Sequence, residues 1–145
     1  MTLPQFKASR FERDVAKFDR RMAKATAKRK QKQDEAVAWA KRARECYDRD
    51  HGLSRISGRP LEFRSPNPWK VGDPHHIVWR SAGGSDELSN LALIGRDEHD
   101  MGHGRGNFKF RYEIEGDANH TLTIRQYATE TGRLVREYES PNPSA

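Results

Sequence analysis

The chain has 145 residues, a net charge of +6, a pI near 9.7, and 34% hydrophobic residues against the ~45–50% usual for globular proteins. That leaves room for one small core, excludes a stretch approaching the ~20 apolar residues of a spanning helix, and favours a polyanionic partner over a membrane. The single cysteine, Cys46, excludes an intramolecular disulfide and a cysteine zinc site. The start, Met1-Thr2-Leu3-Pro4-Gln5, lacks an apolar signal segment, so a cytoplasmic protein is expected.

Residues 10–49 read as helix, since neither Gly nor Pro interrupts residues 5–51. Phe11, Val15, Phe18 and Met22 fall at i, i+4, i+7 and i+11, a narrow apolar stripe. Arg20, Arg21, Lys24, Lys28, Arg29, Lys30 and Lys32 follow with no acid between Asp19 and Asp34. A second amphipathic stretch carries Ala36, Ala40, Ala43 and Tyr47 on one face, with Trp39 beside them. One long helix, or two with a bend near Lys30 to Gln33, are both compatible. Unpaired cations on a helix are the expected electrostatic footprint of nucleic-acid binding, with Arg20, Arg21, Lys24, Lys28 and Arg29 as phosphate contacts. A solvated helix and a coiled-coil arm making a homodimer are the competing uses, although the apolar repeat is short for heptads.

Residues 51–72 are punctuated by Gly52, Gly58, Pro60, Pro66, Pro68 and Gly72 and read as loops with a short extended piece at Leu61 to Phe63. The run His76-Ile77-Val78-Trp79 is a strand candidate, and Gly83-Gly84 a turn. Ser89 or Asn90 is read as capping a helix-like segment, and a further helix is expected over Asp97 to His103, ended by Gly104. From Phe108 the pattern alternates, giving strands near 108–114, 121–127 and 133–139 around turns at Gly116 and Gly132: a meander. Ser140 to Ala145 is expected to fray.

Four of the six histidines lie between residues 75 and 103. His99 and His103, at i and i+4 on a helix, present both imidazoles on one face. Neighbouring side chains on a strand point to opposite faces, so of His75 and His76 one can join a shared ion while the other stays free as a base. Three imidazoles leave a coordination position open, as catalytic metal sites do. A metal there would stabilise charge growing on a phosphate oxygen and the leaving 3′ oxygen. A neutral histidine, with an ordinary pKa of about 6.5, suits removal of a proton from water. Asp73, Asp86 and Asp100 read as turn or surface acids, His51 and His120 as lying outside the constellation, and Cys46 as a small buried residue. Trp39, Trp69 and Trp79 are assigned to core or interface.

In order, His75-His76-Ile77, Gly83-Gly84, Asn90-Leu91 and the pair His99 and His103 resemble the HNH endonuclease family over about a third of the chain, near residues 53–104. The resemblance implies two antiparallel strands and a helix around one divalent metal. It makes His75, His99 and His103 the metal ligands, His76 the general base, and Asn90 the residue that tethers the loop and orients that base. Arg80 and Arg105, placed by charge and position, are expected to contact phosphate. Many relatives carry two Cys-x2-Cys pairs forming a zinc knuckle. The corresponding places here, Ser54 to Pro60 and Gly95 to His99, hold no cysteine, so this chain looks like a member lacking the knuckle. With His where many relatives use Asp at the first position, the ligands are all imidazoles. This shifts preference from Mg²⁺ towards Zn²⁺, Ni²⁺, Co²⁺ or Mn²⁺.

The expectation is therefore an α+β protein: a basic helical arm over residues 1–50, a ββα-metal HNH core over 51–106, a C-terminal antiparallel meander over 107–139 and a flexible tail over 140–145. By resemblance it would nick double-stranded DNA, leaving 5′-phosphate and 3′-hydroxyl ends, in a phage or prophage setting beside a packaging or recombination partner. The alternatives are a non-catalytic, metal-stabilised nucleic-acid-binding module and a toxin-type nuclease.

Overall fold

The computed structural model describes residues 7–104 and 106–145 and is an α+β structure with one long helix and two small antiparallel sheets. Helix α1 runs unbroken over Arg10–Arg49, so no bend interrupts it near Lys30. Its start is capped reciprocally: the Ser9 amide donates to Glu12 and the Glu12 amide donates to the Ser9 hydroxyl. The chain divides into two compact units, Met1–Ala38 and Trp39–Ala145. In the first, Phe11, Val15, Phe18 and Met22 are all exposed. Among the described residues no helix is long and apolar enough to cross a membrane.

The second unit begins with the last turns of α1 and continues through loops to strand β1, Gly72–His76. Two short 3-10 turns, Arg80–Ala82 and Leu88–Asn90, lead to β2, Leu91–Gly95, and helix α2, Arg96–Gly102. β1 and β2 pair antiparallel, with Gly72 opposite Gly95 and His76 opposite Leu91. Strands β3 (Phe110–Glu115), β4 (Leu122–Ala128) and β5 (Leu134–Ser140) form the second sheet in simple meander order.

Two elements differ from the sequence expectation. The first strand lies at 72–76 rather than 76–79. Its two-stranded sheet leaves an edge that tolerates Pro74, whereas the β-branched run beyond it turns outward, with Val78 and Trp79 about half exposed. Residues 91–95 form a strand, not a helix. Leu91, Ala92, Leu93 and Ile94 are buried on both faces, and a short apolar run of this kind does not reveal its period. The buried faces explain the strand's place. Ala92 and Ile94 join Ile56, Ala118, Leu122 and Ile124 in one core cluster, while Leu91 and Leu93 join Cys46 and Leu61 in another. β2 thus serves both cores through its period of two.

A buried polar clamp links these parts. Asp50 accepts from the Arg49 and Arg55 guanidinium groups and from the Leu93 amide. Arg55, only 2% exposed, also donates to the carbonyls of Ala118, His120 and Ser140. A charged pair at such depth is tolerated because its hydrogen-bonding groups are met. The C-terminal residues are hydrogen-bonded back to the unit: Asn142 donates to the Asn119 carbonyl and the Ser144 hydroxyl to that of Arg49.

Candidate metal centre

β1 delivers His75 and His76 to opposite sides, as alternation on a strand requires. His75 is buried, 7% exposed, and faces α2. α2 is preceded by Gly95 as its N-cap, whose amide donates to Glu98 Oε2 at 2.6 Å. That carboxylate also accepts from the Ser54 hydroxyl at 2.6 Å, fixing the helix so that His99 and His103 project towards His75. His103 follows the last helical residue, its amide still bonded to the His99 carbonyl.

The three rings close on one another. Centroids of His75 lie 5.1 Å from His99 and 5.5 Å from His103, and those of His99 and His103 are 4.5 Å apart. One ring nitrogen from each falls within 4.8 Å of the others. The Nε2 atoms of His99 and His103 are 3.3 Å apart. Two nitrogens each ~2.0–2.1 Å from a tetrahedral zinc would sit about 3.3–3.4 Å from one another, so this spacing fits a shared ion.

His75 supplies the independent test of that fit. Its Nδ1 is buried without a hydrogen-bond partner, a costly state for a polar atom. Burial, with the neighbouring His99, His103 and His76 rings adding to it, pushes its pKa down to about 3. The ring is therefore neutral at ordinary pH, the form that ligates metal. The donor set and the orphaned nitrogen both suit a divalent metal held by His75, His99 and His103.

His76 faces the other way, into a cleft of about 410 Å³ that also reaches His75, His99 and His103 and is walled by Trp39, Trp79 and Arg80. Trp39, from α1, stacks flat on the His76 ring at 5.4 Å and 8°. His76 Nε2 lies 2.7 Å from Asp86 Oδ1. Arg80 donates to both Asp86 oxygens, at 2.9 and 3.0 Å, and its guanidinium lies over the Trp39 ring at 4.8 Å. The hydrogen bond from His76, with that from Arg80, holds the Asp86 carboxyl below its usual range.

Asp86 is a surface acid, its side chain 51% exposed, that also pairs with His76 and Arg80. Nothing in sequence marked it, because an acid ten residues beyond a histidine reaches it only through the loop's fold. Asp73, by contrast, pairs with Arg96 at the surface. Asn90 tethers the loop: it accepts from the Val78 amide at 2.8 Å and donates to the Val78 and Ser85 carbonyls at 2.9 and 2.8 Å. These bonds leave the His76 side chain to other partners, so Asn90 shapes the loop and makes no hydrogen bond to the His76 ring. Arg80 borders the cleft, but its guanidinium is shared with Asp86 and Trp39. Arg105 lies outside the described residues. Arg20, Arg21, Lys24, Lys28 and Arg29 are exposed in the first unit, and among the described residues no ion pair neutralises them.

No family model, curated protein or solved structure matches the chain.

Proposed function

We propose that this protein is a metal-dependent endonuclease of the HNH type that hydrolyses DNA phosphodiester bonds, with β1, β2 and α2 as its ββα-metal core. The observation that carries the reading is the division of labour between adjacent residues: His75 turns inward to a three-histidine cluster, and His76 turns outward into the same cleft. His75, His99 and His103 hold the divalent metal, whose chemistry when bound is to offset charge on the phosphate and the leaving oxygen. His76 removes a proton from the attacking water, a task open to an imidazole outside the ligand set. The O–P bond forms as the bond to the 3′ oxygen breaks, leaving 5′-phosphate and 3′-hydroxyl ends. Asn90 holds the loop that walls the cleft. Arg80 and Arg105, and on helix α1 Arg20, Arg21, Lys24, Lys28 and Arg29, contact phosphates. Contacts of that kind give affinity without sequence choice.

Supercoiled plasmid incubated with Mg²⁺, Mn²⁺, Ni²⁺, Zn²⁺ or EDTA tests this. Metal-dependent conversion to open circles is expected, with the rate in His76→Ala lower by about 10²–10⁴ and metal retained. A folded, metal-loaded protein that cuts under none of these conditions would instead be a metal-stabilised binding module.

A further inference from the structure

Resting on the nuclease reading, we propose that Asp86 is the positioning residue for His76: it accepts a hydrogen bond from Nε2–H, keeps the proton on that nitrogen, and so commits Nδ1 to receive the proton of the attacking water. The geometry restricts the alternatives. A carboxylate accepts hydrogen bonds and does not donate them, so the 2.7 Å contact places a proton on His76 Nε2. Arg80 Nε is 3.3 Å from the same nitrogen but 2.9 Å from Asp86 Oδ1. A protonated Nε2 has no lone pair left to accept with, so the Arg80 proton belongs to Asp86.

Asp86 is itself held. Arg80 grips both of its oxygens in a fork, the geometry that best fixes a carboxylate. The guanidinium rests on Trp39, and Trp39 lies parallel to the His76 ring. Trp39 sets the plane of the ring and Asp86 sets its rotation within that plane. Asn90, to which the resemblance gives the orienting role, commits its side chain to Val78 and Ser85 instead. The proton balance is simple. Water gives its proton to Nδ1 as its oxygen bonds to phosphorus, the leaving 3′ oxygen takes a proton from solvent, and the imidazolium returns its extra proton to solvent. Asp86 stays ionised throughout. A histidine oriented by a carboxylate in this way follows the general logic of activated bases.

The full-length, metal-loaded protein is compared with Asp86→Ala, Asp86→Asn and Arg80→Ala by plasmid nicking, and by long-range ¹⁵N–¹H correlation of the histidine rings at about pH 8, where an ordinary imidazole is neutral. His76 should carry its proton on Nε2 in the wild type and lose that preference in Asp86→Ala. Asp86→Ala should lower kcat by about 10–100-fold with a smaller change in KM. Asp86→Asn, whose amide can donate to Nε2 as well as accept from it, should also lower kcat and weaken the preference for a proton on Nε2. Arg80→Ala, which releases the grip on Asp86 and removes a phosphate contact, should lower kcat by less than Asp86→Ala and also raise KM. An Nδ1-protonated His76 in the wild type, or an Asp86→Ala effect confined to KM, overturns the role of Asp86. Absence of cutting by the wild type overturns the nuclease reading and the role of Asp86 together, whereas cutting with an unaltered kcat in Asp86→Ala overturns the role of Asp86 alone.

Discussion

The helical stretch up to Ala38 and the unit from Trp39 onward use the same side-chain types in opposite ways. In the first, Phe11 is 77% exposed and Phe18 62%, and cations stand without ion-pair partners among the described residues. In the second, Leu91 and Leu93 are at most 1% exposed, and even an arginine, Arg55, is buried against Asp50. A lone helix has no core of its own, and its helical state depends on local bonds and propensity. Stability and chemistry therefore belong to the second unit, and the first offers only surface. Removing side chains from the second unit should therefore be felt in folding and metal binding, while the first unit should tolerate change in everything except what it touches.

The largest expected effect sharpens the claim. A metal held by His75, His99 and His103 binds the folded chain and not the unfolded one, so at 100 times its dissociation constant it adds about 2.7 kcal/mol of stability. Urea unfolding in Zn²⁺ should show that increment, EDTA should remove it, and His103→Ala should abolish the difference between the two. Equal midpoints with and without metal in the wild type would mean that the three rings pack for their own sake.

A smaller effect per pH unit follows from His75 with the metal chelated. Its pKa, pushed down to about 3, lies below the ordinary value near 6.5. Between those values the unfolded chain binds a proton that the folded chain does not. Stability of the chelated protein therefore falls as pH drops below about 6.5, by at most about 1.4 kcal/mol per pH unit from this one group. Above that pH the group contributes no slope. Urea midpoints measured across pH 4–7 in EDTA, with His75→Gln as the control, isolate the contribution, and an unchanged slope in that variant would remove His75 as its source.

Much of this arrangement was legible in the sequence. The absence of Gly and Pro gave helix α1, the i, i+4 spacing placed His99 beside His103, and alternation from Phe108 gave the meander within one or two residues. What escaped did so for physical reasons. Leu91 to Ile94 is apolar throughout because it feeds two cores, and a run without polar residues carries no period. β-Branched residues suggested a strand at 76–79, but the buried partner β2 pairs with 72–76. Asp86, Asp50 and Arg55 were invisible because their meaning lies in partners that folding brings together, across as many as 85 residues for Arg55 and Ser140. The seating of Trp39 against His76 likewise needed the fold.

The smallest expected effect is the sharpest test of the contrast. Phe18 is 62% exposed on helix α1, so Phe18→Lys removes no packed contact within the chain. Exposed substitutions away from packed features stay within about 0.5 kcal/mol, whereas Leu93→Ala, inside the buried strand, should cost about 2–5 kcal/mol. The pair should be measured by urea unfolding at two protein concentrations at least tenfold apart. If Phe18→Lys is near neutral and the wild-type midpoint does not move with concentration, the stripe of Phe11, Val15, Phe18 and Met22 is solvent-facing surface in the free protein. If Phe18→Lys is destabilising and the wild-type midpoint rises with concentration, a second copy covers the stripe, because only association couples stability to concentration in this way. The contrast between the two units would then hold for the single chain and vanish in the dimer.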